Sequence, residues 1–356
     1  ELLPDLCGIA DDLLLVRSLR STQFNHQPVQ LLMQCGRSEF GLPSMGAWLN
    51  YGLGTASRNL PGYVVLSSGV GSSGGATLGL SGLLPTSYAG VRFRNQGEPV
   101  LNLKNPSGLP PTLQKKGIDL LSRINSSRYS EIRDPDISSR IASYELAYRM
   151  QSSVPEMMDL SGEPNHIHEL YGTQPGKVSF ANNCLLARRM VERGVRFVQL
   201  YSDGWDAHGE CDKNHLKNSW KTDQPIAALL QDLKQRGMLE STLIDSVGEF
   251  GRTPVMQGKD GRDHNPLGCS ACMAGGGIQG GQTVGSTDDL GFVAVDDKVH
   301  VNDLHACMLT LLGLDHRKLT YFFQGLERRL SGVGESGARG PDLARRLPGG
   351  AIEIPA

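Results

Sequence analysis

The sequence carries no excess charge of either sign, few aromatics, no long apolar run and no cysteine framework. Each absence removes a class of function. Among 356 residues, 35 Lys and Arg stand against 37 Asp and Glu, so nothing marks a nucleic-acid or acidic-membrane partner. The longest run of Leu, Ile and Val alone covers residues 13–16, far short of the roughly 20 apolar residues a membrane-spanning helix needs. The opening ELLPDLCGIADD is acidic and lacks the apolar segment and cleavage site of a secretory leader. It reads as the middle of a helix, and the chain is expected to be a mature or truncated piece. Seven cysteines, at 7, 35, 184, 211, 269, 272 and 307, are odd in number and scattered, against a disulfide framework. Cys269 and Cys272 form a C-x-x-C in the apolar setting GCSACMAGG, without the second pair of a zinc ribbon. They are read as small buried strand residues.

What is present is length for a sizeable core and 44 glycines for tight turns. A short strand is expected over 13–19, a helix opening at Pro43, a strand over 61–66, and helix over 113–149 interrupted at Asp134-Pro135. Residues 151–177 read as an irregular connection. From Ser179 the pattern becomes regular. A helix over 180–193 presents Leu185, Leu186 and Met190 on one face, and a β-branched, aromatic strand follows over 195–201. Asp223 is expected to cap the next helix, residues 242–247 and 267–274 to be strands, and Asn302 to cap a last helix. Such alternation predicts an α/β fold, a mostly parallel sheet with helices on both faces, whose ligands sit at the carboxyl ends of strands. One domain is expected over 1–335, with 95–178 as an insertion or connection and 336–356 as a disordered tail.

The chemistry-bearing residues gather in loops after strands. Asp206 and His208 lie two apart in DGWDAHGE, and His264 follows Asp263 in GRDHNP. Two imidazoles and a carboxylate suit zinc or a similar borderline cation. Glu249, flanked by Gly248 in GEFGRTP, suits metal ligation or general-base work, and Arg252 could hold an anion bidentately. The bland alternative makes Asp206 and Asp263 turn caps, His208 a solvated side chain and Glu249 a partner of Arg252. His26, in Asn25-His26-Gln27-Pro28, is left open by pattern alone. Gly71-Ser72-Ser73-Gly74-Gly75 matches G-x-S-x-G, but in a Gly/Ser loop with no helix directly after it. Gly275-x-Gly277-x-x-Gly280 matches the dinucleotide fingerprint, yet a turn follows it. His166 and His168 are read as surface residues, and His305 as a packing or supporting residue beside an apolar face.

GWDAHGE, GEFGRTP, GRDHNP, AGGGIQGGQTVGSTD and NDLHACMLTLLGLDHRKLTYFFQG, with RSLRSTQFNHQPVQ, LPSMGAWLNYGLG and NLPGYVVL, resemble the bacterial DUF1501 family over about residues 1–335. That family stands beside the sulfatases in the alkaline-phosphatase-like superfamily. The resemblance implies an alkaline-phosphatase/sulfatase-like fold and a two-metal site acting on a small anionic sulfate or phosphate ester. One metal falls to Asp206, His208 and His264, and Glu249 belongs to the second. Zinc is the first choice of divalent cation, with calcium, magnesium or manganese as alternatives. His26-Gln27-Pro28-Val29-Gln30 keeps the spacing of the sulfatase nucleophile segment, which puts His26 at the attacking position, as nucleophile, ligand or proton donor. Relatives begin with a strand and an early acidic ligand that would precede this chain. They carry W-D-H-H where this chain has Trp205-Asp206-Ala207-His208, and sulfatases place Asp-His where it has Glu249-Phe250. They often bear a twin-arginine leader, which implies a periplasmic or exported protein. Two further readings stand beside the hydrolase: a non-catalytic binding protein with an incomplete metal site, and a metal-free serine hydrolase using Ser73.

Overall fold

A computed structural model describes residues 1–69, 74–94, 97–101, 103–332, 340, 343 and 344. Two sheets carry the fold. In the first, β2 (Tyr63–Ser67) lies between β3 (Val91–Phe93) and β4 (Phe197–Tyr201), and both pairings are parallel. The second is centred on β1 (Leu14–Arg20), where Leu14, Val16 and Leu19 are buried and Leu15 and Arg17 exposed. That alternation is what a strand with one face on the core requires. β1 runs antiparallel to β8 (Cys269–Ala274), which runs antiparallel to β5 (Ile244–Val247). It pairs in parallel with β9 (Gln282–Val284) and with the two-residue strand Val299–His300. β1 and β5, both opposed to β8, therefore point the same way, and their carboxyl ends share one edge. The class is α/β as expected, with β8 as the antiparallel strand of the second sheet.

Helices cover both faces. α5 (Pro135–Met158), α6 (Asn165–Tyr171), α7 (Phe180–Glu192) and α8 (Cys211–Gln235) pack on the first sheet, with Val154, Met157, Ile167, Leu185, Met190 and Leu233 buried against Val64, Leu66 and Phe93. On the other side α3 (Met45–Leu53) and α9 (Val301–Leu311) share Trp48, Leu49 and Leu309. Full burial of each such large side chain stabilises by about 1.5–3 kcal/mol. α4 (Pro111–Ile132) has no buried residue and runs alongside α5. Among the described residues no helix is long and apolar enough to cross a membrane.

Three expectations are corrected. Residues 151–177 are largely helical, because α5 continues through Pro155 to Met158 and α6 follows. Asp223 does not start a helix. It lies buried inside α8, and its carboxylate accepts the Asp5 and Leu6 amides at 2.9 Å each, capping the short helix α1 (Pro4–Cys7) instead. The cap of α9 is His300 rather than Asn302. Its Nδ1 accepts from the Asn302 amide while Asp303 accepts from the His300 amide, closing a capping box. The tail expected to be disordered lies mostly outside the described residues, but Leu343 and Ala344 are buried in the cluster around β1.

One half-buried position conflicts with its surroundings. Asp245 on β5 faces Met273 across the ladder, near Cys269, Cys272 and Cys307, and its Oδ1 is shut off from solvent without a partner. Burial raises its carboxyl to about 7. The folded form then holds a proton that the unfolded form releases above its ordinary value of 3.8. Stability is full below that value and declines as pH rises to about 7, by on the order of 2–4 kcal/mol. Asp245→Val is expected to raise the urea midpoint at pH 8 much more than at pH 4. Equal gains at both pH values would refute this. The thiols beside it, half-buried in the strand, are pushed up by desolvation, Cys269 to about 12 and Cys272 to about 11, which makes them unreactive.

Candidate metal centre

The site lies where β1, β4 and β5 end, as expected for loops at carboxyl ends of strands. After β1 the chain turns through residues 21–25 into α2 (His26–Cys35), which places His26 at the first helical position. The loop after β4 carries Asp206 and His208, and the turn after β5 carries Glu249. The expected loops around Arg252 and His264 are instead a hairpin, β6 (Gly251–Gln257) with β7 (Gly261–Asn265). Its turn is the three residues 258–260, with Gly258 at positive φ. Arg252 and His264 are register partners, so their side chains are cross-strand neighbours on one face. The hairpin docks on the Asp206 loop: the Arg262 amide donates to the Ala207 carbonyl at 2.9 Å and the Cys211 amide to that of Asp260 at 3.1 Å. A Cβ at Gly261 would stand 2.0 Å from the His208 carbonyl oxygen, so glycine is required for this approach.

Four side chains converge: His26, Asp206, His208 and His264, with one ligand atom from each, all within 4.8 Å of one another. His26 Nε2 is 3.2 Å from Asp206 Oδ2, while His208 and His264 Nε2 are 3.1 and 3.4 Å from Oδ1 and 3.0 Å from each other. Ligand atoms around a tetrahedral ion bound at about 2.0–2.1 Å are roughly 3.3 Å apart, so these separations fit one zinc-sized cation. The outer nitrogens are all committed. His26 Nδ1 meets Glu249 Oε1 at 2.8 Å, His264 Nδ1 meets the Phe24 carbonyl at 2.7 Å, and His208 Nδ1 meets Gln257 Oε1 at 2.5 Å. The Glu249 carboxylate and the Phe24 carbonyl can only accept, so they place the proton on Nδ1 of His26 and His264, and Gln257 can hold His208 in the same sense; each ring, when neutral, then turns an Nε2 lone pair inward. Three lone pairs facing a carboxylate repel unless a cation lies among them.

Glu249 and Arg252 stand behind this cluster. Glu249 accepts from His26 and, at 3.3 Å, from Gln30 Nε2, and its carboxylate is not among the converging atoms. Arg252 donates to Asp206 Oδ1 at 2.5 Å and to the Arg262 carbonyl at 3.1 Å. Partial burial alone would raise the Asp206 carboxyl, but the hydrogen bond and charge of Arg252 outweigh it and hold the group at about 2. Phe250 stacks on His264 with centroids 4.2 Å apart and lies 5.1 Å from the His26 ring. Gln257 and the Phe24 carbonyl were not singled out in the sequence, and Phe250 and Gln30 were named only for their places in family motifs. Gln30 was visible as the residue one helical turn from His26, whereas a backbone carbonyl leaves no trace.

The other sequence candidates lie elsewhere. Ala207 is buried and contributes its carbonyl. His168 and Thr173 side chains are bonded to each other, and buried His305 meets the Met33 carbonyl at 2.7 Å, a packing role. Ser73 lies outside the described residues. The glycine run after β8 forms a turn with φ positive at Gly275, Gly276 and Gly277.

A family model described as protein of unknown function, DUF1501, matches residues 1–338. The chain belongs to the DUF1501 family. No curated protein matches it in sequence. Among solved structures, this DUF1501 chain is similar to Ps i-CgsB in complex with k-i-k-neocarrahexaose, at 11% identity and TM-score 0.46, over 98% of this chain and 72% of that one. It is also similar to the PsFucS1 sulfatase from Pseudoalteromonas sp., at 13% identity and TM-score 0.41, over 94% and 67% of the two chains.

Proposed function

We propose that this DUF1501 chain is a metal-dependent hydrolase of sulfate or phosphate esters, with an alkaline-phosphatase-like arrangement of its strands. The observation that carries the metal is the convergence of three Nε2 atoms on the Asp206 carboxylate, with every Nδ1 held by an oxygen acceptor. The ester class is supported by the motif resemblance and by charge. Asp206 and Glu249 bring two negative charges, Arg252 one positive and a divalent cation two, which leaves a net positive site suited to a small anion.

His26, Asp206, His208 and His264 hold the cation in this reading, which moves His26 from attacking group to ligand. Three imidazoles and one carboxylate favour zinc. A cation bound there supplies Lewis-acid polarisation of the ester oxygens. Arg252 keeps Asp206 ionised and aimed at the centre, and Glu249 holds the His26 ring. The side chains of Asp206 and His208 are 46% and 42% exposed, so a small ester can reach the centre from solvent. An exported location belongs to the same reading, on resemblance alone, and fractionation of the native cell tests it.

The zinc-loaded protein is expected to turn over 4-nitrophenyl sulfate or 4-nitrophenyl phosphate. His208→Ala should reduce that turnover to background while the circular dichroism spectrum is kept. Tight zinc binding with no turnover of either ester would assign the chain to the binding-protein alternative.

A further inference from the structure

We propose that Gln30 is a positioning residue of the metal centre: it pins the Glu249 carboxylate and thereby sets the tautomer and orientation of His26. The inference rests on the metal-centre reading above. Its warrant is the direction of the hydrogen bonds. The Gly74 backbone amide donates to Gln30 Oε1 at 2.9 Å. A backbone N–H can only donate, so this contact decides which end of the side-chain amide is the oxygen. Gln30 Nε2 is thereby turned toward Glu249 Oε1, at 3.3 Å, where it can only donate. His26 Nδ1 lies 2.8 Å from that same oxygen. His26 and Gln30 are four residues apart on α2, hence on one face, and together they grip one carboxylate oxygen from a single helix.

The polarity set at Gly74 passes through Gln30 and Glu249 to the ring. With its Nδ1 proton fixed on Glu249, neutral His26 has only a lone pair on Nε2, which faces Asp206 Oδ2 at 3.2 Å. His208 and His264 are held differently, by Gln257 within the hairpin and by the Phe24 carbonyl. His26 alone depends on a carboxylate that stands on a turn and has to be steadied by another side chain. Loss of Gln30 leaves that carboxylate with one of its two described donors, free to rotate away from the ring.

The test uses Gln30→Met, which keeps the length and removes both hydrogen bonds, and Gln30→Lys, which keeps a donor for Glu249. Gln34→Met is the control, since Gln34 lies one turn along α2 and bonds Gln199 instead. Side-chain nitrogen NMR of the metal-free protein is expected to show His26 protonated on Nδ1 in the parent, in Gln30→Lys and in Gln34→Met. In Gln30→Met it should become a tautomer mixture. Zinc affinity, measured against a competing chelator, should fall about 10–100-fold in Gln30→Met and be largely restored in Gln30→Lys, the range seen when an orienting partner is lost. An unchanged His26 tautomer in Gln30→Met overturns the inference, as does a Gln34→Met effect of equal size. Failure of the parent to bind zinc overturns the metal reading instead, and the tautomer comparison still decides the role of Gln30.

Discussion

Asp206→Ala is expected to empty the centre of its divalent cation. Asp206 Oδ1 is met by His208 and His264, and Oδ2 by His26, so one carboxylate is common to all three imidazoles. Its removal takes away the only charged ligand and leaves the Arg252 guanidinium, now without its carboxylate, beside three nitrogens that must accept a cation. Repulsion replaces attraction at the point where the proposed cation would bind. Loss of an orienting partner already lowers metal affinity about 10–100-fold, so loss of this ligand should exceed about 100-fold. Elemental analysis after dialysis without chelator is expected to find about one equivalent in the parent and almost none in the variant, with Asp206→Asn between them. Retention of the parent stoichiometry by Asp206→Ala would falsify the ligand assignment.

Breaking the buried ion cluster beneath α7 should have the largest effect on stability. Arg188 and Arg189, both buried, meet the two oxygens of Glu163 at 2.5 and 2.6 Å, and Arg188 also meets Glu192 at 2.7 Å and buried Asp232 at 3.1 Å. Burial works against the charge on Arg188, but its carboxylate partners more than offset this and hold it firmly protonated. Likewise burial would raise the Glu163 carboxyl, yet the two arginines bring it below its ordinary value. Glu163→Ala leaves Arg189 without its carboxylate and Arg188 with one fewer. Removal of one partner from a buried pair typically costs about 3–5 kcal/mol, because an uncompensated charge stays inside. The melting temperature should fall by roughly 4–7 °C for a chain of this size. Zinc stoichiometry should not change, since this cluster shares no residue with the metal centre. A fall below about 1 kcal/mol in chemical denaturation would show that solvent reaches the arginines readily.

Local pattern went far because much of the fold is local. The buried alternation of β1, the helical faces of α7 and α9 and the interruption at Asp134-Pro135 all follow from spacing and turn chemistry. Pattern failed where a residue served a distant partner. Asp223 has the chemistry of a cap, but the helix it caps lies 217 residues away in sequence. The β6–β7 hairpin went unseen because its strands are partly exposed, without the apolar alternation that marks a strand on a core.

By itself the sequence determined the α/β class and the family. It also placed Asp206 and His208 in a loop after a strand and marked His264 as a candidate ligand, because ligand chemistry and spacing are properties of short segments. Only the tertiary structure decided that His26 joins them, that Glu249 stands behind His26, and that Arg252 steadies Asp206. The reason is distance along the chain. The contact from His26 to Glu249 spans 223 residues and that from His264 to the Phe24 carbonyl 240, and both exist only once β1, β5 and the hairpin meet at one edge. A proton's place on an imidazole is set by what its other nitrogen touches, and no segment of the sequence contains both.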